Sequence, residues 1–119
     1  MSILATIFVV IVAVEHLYIM YLETIATTSK KTAETFNLKQ QELKDKNIQT
    51  LLKNQGIYNG LLALSLFYGA FLSSSPKEFV AVLLIFIILA GIYGSLTSSK
   101  SIILKQGGPA IIALILLLI

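Results

Sequence analysis

The residues of this chain that could do chemistry lie where ionisable groups are costly. The stretch Val14-Glu15-His16-Leu17-Tyr18-Ile19-Met20-Tyr21-Leu22-Glu23 puts two carboxylates and the sole histidine into an otherwise apolar run. Such groups are rare in hydrocarbon unless they pair or line a polar cavity. At about 100° per residue His16, Met20 and Glu23 fall nearly in line, with Glu15, Tyr18 and Leu22 on the neighbouring stripe. One broad polar face thus carries all three ionisable side chains. Glu15, His16 and Glu23 are the candidates for relaying protons, the acid–base work of positioned carboxylates and imidazoles. No metal site is expected, because one imidazole and two carboxylates on a single helix rarely converge on one ion.

Three further clusters add hydrogen-bonding groups. In Asn54-Gln55-Gly56-Ile57-Tyr58-Asn59-Gly60, Asn54 falls above Tyr58 and Gln55 above Asn59 at helical spacing. Gly56 and Gly60 form a small-xxx-small pair that admits a neighbouring backbone, within the chain or in a second copy. The amides need donors and acceptors satisfied, which packing alone does not supply. Tyr93 lies between Gly91 and Gly94, and Gln106 precedes Gly107-Gly108-Pro109. A proline inside a helix there frees the carbonyl of Lys105, and the paired glycines ease a kink.

The elements that must position these groups follow from composition. The chain has 119 residues, of which 56% are hydrophobic and 13% charged. Its mean hydropathy is +0.87. That is too apolar for an ordinary soluble domain. Four apolar stretches stand out, roughly Ser2–Ala26, Leu51–Leu72, Phe79–Leu96 and Ser101–Ile119. Each reaches or approaches the roughly 20 residues that a membrane-spanning helix needs, and none alternates as a barrel strand would. The expectation is all-α: a single domain, residues 1–119, forming an integral membrane bundle of four transmembrane helices, up-down-up-down. The first stretch lacks the basic lead and small-residue cleavage site of a signal peptide and reads as a true span. There are no cysteines, so no disulfide or thiol chemistry arises. No cofactor is implied.

Charge sets the orientation. Lys30, Lys31, Lys39, Lys44, Lys46, Lys53, Lys100 and Lys105 flank the first and third loops, against Lys77 alone in the second. This positive-inside asymmetry places loops one and three in the cytoplasm and both termini on the outer face of the cell membrane. It accounts for the basic balance without a nucleic-acid partner. Loop one, about Thr27–Thr50, spaces Phe36, Leu38, Leu43, Ile48, Leu51 and Leu52 as an interfacial amphipathic helix would, lysines towards anionic headgroups. In loop two, Ser75, Pro76 and Glu78 match a helix-initiating capping box.

In an up-down-up-down bundle the polar clusters all fall in the cytoplasmic leaflet. Glu15, His16, Tyr18, Glu23, Asn54, Gln55, Tyr58, Asn59, Tyr93 and Gln106 are therefore the candidate ligand-binding set. The Val14–Glu23 and Asn54–Gly60 stretches, with Gly91-Ile92-Tyr93-Gly94 and Gln106-Gly107-Gly108-Pro109-Ala110, resemble the signatures of a family of small microbial integral membrane proteins. That family is catalogued as domain of unknown function 1304. The resemblance covers nearly the whole chain in order. Loop one departs from it, being rich in Lys and Gln and without the tryptophan expected of relatives. It implies four spans and no particular activity. Three functions compete: a membrane-embedded binding protein for a small amphipathic molecule, with enzymatic chemistry optional; a proton-coupled transporter; and a structural or partner-binding subunit.

Overall fold

A computed structural model describes residues 1–98 and 107–119, which are all-α with no strand among them. The helices are α1 (Ile3–Thr24), α2 (Lys30–Thr35), α3 (Lys46–Phe71), α4 (Pro76–Thr97) and α5 (Gly108–Leu118), with a 3₁₀ turn at Gln40–Lys44. By length and composition, α1 and α4 can cross a membrane, at 22 residues each. At about 1.5 Å per residue each reaches about 33 Å. The other two expected spans differ in form. The first three turns of α3 carry Lys46, Gln49, Lys53, Asn54 and Gln55, so only its later part is continuously apolar. The apolar helix α5 has 11 residues, and the first part of the fourth stretch, through Lys105 and Gln106, lies outside the described residues. Pro109 stands in the first turn of α5, where its missing N–H leaves no hydrogen bond unmade.

The chain divides into two compact units. The first comprises Met1–Glu15 and Ala63–Ile119. Its core is Ala5, Val9, Val12, Ala13, Ala63, Leu66, Val80, Leu84, Ile87, Ala110, Ala113 and Leu117, all buried. The alternation of small with branched residues lets these helices approach closely. Ser2 starts α1 by accepting from Ala5 N–H at 3.1 Å. The α3–α4 corner is held by an edge-to-face pair of Tyr68 and Phe79, ring centroids 5.5 Å apart. Gly69 admits this corner, since a Cβ there would stand 2.7 Å from Phe79 Cδ1 and 2.9 Å from Val80 Cγ2. Pro76 opens α4 as expected, but the Ser75 side chain makes no capping bond. Instead the Ser75 N–H donates to Ser73 Oγ at 3.1 Å, a turn that leaves the predicted capping box unformed.

The second unit is His16–Leu62. In place of a single amphipathic helix, loop one folds as α2, a left-handed residue at Asn37 (φ 56°) and the 3₁₀ turn. Thr32 explains the break. Its hydroxyl turns inward, 3.0 Å from Leu22 O, a carbonyl left open at the end of α1, and 2.7 Å from Ala26 O, which also accepts from Ser29 N–H. Leu22 O is open because Ala26 N–H reaches back five residues to Tyr21 O, at 2.9 Å. Ser29 caps α2 by accepting from Thr32 N–H at 3.2 Å. With Thr32, Ala33 and Leu43 buried, the connection is folded onto its unit.

Candidate functional site

The second unit brings the end of α1 against the start of α3. On α3, Gly56, Asn59 and Gly60 share one face, at relative positions i, i+3 and i+4. On α1, His16, Met20 and Glu23 form the facing line. The glycines set the separation. A Cβ on Gly56 would collide with Thr24 Cγ2 and stand 3.1 Å from Glu23 Cβ and 3.3 Å from Met20 O. A Cβ on Gly60 would stand 2.5 Å from Met20 Sδ. The Met20 side chain thus occupies the notch that Gly60 leaves.

At that separation Asn59 Nδ2 donates to Glu23 Oε1 at 2.6 Å. Glu23 is 5% exposed and Asn59 half-buried. A short bond from an amide to a buried carboxyl oxygen joins two segments 36 residues apart in the chain. His16, two turns before Glu23 on the same stripe, is 3% exposed and is not without a partner. The hydroxyls beside them are used locally: Thr24 Oγ1 donates to Met20 O at 2.6 Å and Thr27 Oγ1 to Glu23 O at 2.7 Å.

The remaining predicted residues take different positions. The stripe of Glu15, Tyr18 and Leu22 is not uniform: Leu22 is buried, whereas Tyr18 is about half exposed. Asn54, Gln55 and Tyr58 are exposed, turned from the glycine face of α3. The i,i+4 pairing of Gln55 with Asn59 therefore does not make one environment. Glu15 belongs to the first unit, is half-buried, and its Oε1 accepts no hydrogen bond. Tyr93, on α4 of the same unit, is exposed, and Gln106 lies outside the described residues. Among the described residues no group of three His, Cys, Asp or Glu could hold a metal ion. A cavity of about 260 Å³ in the first unit is lined by Ser73, Ser75, Glu78, Phe79, Val82 and Leu83, none of them a predicted site residue. Reasoning from sequence set Met20 on the His16–Glu23 line without giving it a role, and missed Thr32. The only available signal for Met20 was its place between His16 and Glu23 on the helical line.

Comparison with known proteins gives a consistent result. Residues 10–118 match a family model described as protein of unknown function (DUF1304). The chain is 58% identical over 115 residues to an uncharacterized protein, YpaA, of Lactococcus lactis, covering 97% of each. No solved structure matches.

Proposed function

The chain belongs to the DUF1304 family, and from that premise we propose that it is an integral membrane protein that binds a small amphipathic molecule at its polar helix faces. The spans would be α1, the later part of α3, α4 and the stretch ending in α5, as one four-helix domain. Loops one and three would face the cytoplasm and both termini the outer side. Burial supports the membrane setting. In the most apolar windows of α1 and α4 only 33% and 22% of residues are buried. A soluble protein buries such helices, whereas here Val82, Phe86 and Leu89 of α4 stay mostly exposed. The lysine asymmetry supports this orientation.

The observation that carries the binding reading is the buried Glu23 carboxyl bonded to Asn59, with the buried His16 imidazole on the same face. Polar groups converging among apolar walls are the usual makings of a small-molecule site. On the same unit Tyr18, Asn54, Gln55 and Tyr58 offer further polar groups from exposed positions. Proton relay by Glu15, His16 or Glu23 would convert binding into catalysis. One observation favours a second reading, proton-coupled transport: Glu15 Oε1 is buried with no hydrogen-bond partner. Intramembrane carboxyls commonly mark proton relays.

The test is native mass spectrometry of gently extracted wild-type protein beside Glu23→Gln and His16→Ala. A small amphipathic molecule that co-purifies with the wild type and is lost from both variants is the expected result. Adduct-free wild type, or equal retention by all three, would end the binding reading. Loss of stability without loss of an adduct would assign the polar stripe to helix register. Proton-driven flux in proteoliposomes, abolished by Glu15→Gln, would establish transport instead.

A further inference from the structure

We infer that the folded connection between α1 and α3 is a binding surface for anionic phospholipid headgroups. With the start of α3 it carries Lys30, Lys31, Lys39, Lys44, Lys46 and Lys53, every one exposed. The acids among them are Glu34, Glu42 and Asp45, leaving an excess of three cations. Among the described residues, none of these lysines is engaged in an ion pair. Two of the acids are held by main-chain donors instead: Glu42 Oε1 accepts from Lys39 N–H at 2.9 Å and Asp45 Oδ1 from Asn47 N–H at 2.8 Å. The ammonium groups are left for an external anion.

The array is held in place rather than loosely tethered. Thr32 fastens α2 to the end of α1, and Gln40 Nε2 donates to Thr28 O at 3.2 Å. Gln49 Nε2, from the first turn of α3, donates to Leu43 O at 2.8 Å, and Leu43 itself is fully buried. Beside the lysines, Ile25 and Leu51 expose apolar side chains, 73% and 65% accessible. Cations next to exposed apolar groups suit the boundary between headgroups and acyl chains. There the lysine stem covers hydrocarbon while its ammonium meets phosphate. Each such lysine strengthens attraction to an anionic leaflet by about fivefold. A phosphate without acyl chains would satisfy the lysines but leave Ile25 and Leu51 in water, so the lipid is the better fit.

This inference rests on the membrane reading above, and the experiment separates the two. The full chain is reconstituted in vesicles of phosphatidylcholine mixed with phosphatidylglycerol, extracted, and its retained lipids are counted by native mass spectrometry. Wild type is expected to retain phosphatidylglycerol in preference. The combined variant Lys30→Gln, Lys31→Gln, Lys39→Gln, Lys44→Gln should lose at least about tenfold of that preference. Lys77→Gln, which removes one charge from loop two, should keep it. Equal preference in wild type and the combined variant overturns the inference, as does full displacement of the lipid by excess glycerol phosphate. An equal loss in Lys77→Gln would reduce the effect to net charge and overturn it as well. If the chain is stripped from membranes by alkaline washing, the membrane reading fails. An integral chain without lipid preference fails this inference alone.

Discussion

The Glu23–Asn59 bond shows how little room a buried carboxyl leaves its surroundings. Removing the amide leaves an acceptor without a partner, whereas removing both groups leaves nothing unsatisfied. We expect Asn59→Ala to destabilise the protein by about 1–3 kcal/mol in detergent melts. Glu23→Leu combined with Asn59→Leu should recover part of that loss. Strict additivity across the cycle would show that the two groups do not interact. The glycines allow a sharper comparison. At Gly56 an added methyl meets Glu23 Cβ and the Met20 carbonyl, which cannot move aside without shifting α1. At Gly60 it meets the Met20 thioether, a side chain that can re-rotate. Gly56→Ala should therefore cost about 1–3 kcal/mol and Gly60→Ala less, with Met20→Ala relieving only the second. The reverse order of melting temperatures would refute the packing described.

Among the elements, the connection between α1 and α3 departs furthest from its expected form. Amphipathic spacing in Thr27–Thr50 predicts one interfacial helix, yet α2 ends after six residues. The competing interaction is the bonding of Thr32 to the carbonyls of Leu22 and Ala26, which draws a polar residue inward and gives α1 its C-terminal partner. A threonine amid lysines offers no periodic signal of that role. Thr32→Val removes the hydroxyl but keeps the shape, and should cost about 1–2 kcal/mol. It should also speed proteolysis between Lys30 and Lys46 severalfold. Unchanged cleavage kinetics would mean the hydroxyl does not hold the connection down.

For the whole molecule, the decisive property is the uneven placement of lysines along an apolar chain. The proposed orientation is open to direct mapping because the chain has no cysteine to remove. A single cysteine replacing Gln41 should react with a membrane-impermeant maleimide only after the cytoplasmic face is exposed. One replacing Ser74 should react from the outside in intact cells. The opposite pattern would invert the topology. Composition and periodicity alone determined that the chain is helical and apolar. Those properties are sums over many residues, so no single contact can reverse them. Which polar groups are buried was left to the tertiary structure. Asn54, Gln55 and Asn59 look alike in sequence, but only Asn59 shares the face of Gly56 and Gly60 and so meets Glu23. That choice depends on which side of α3 can approach α1 most closely, a matter of packing between segments distant in the chain.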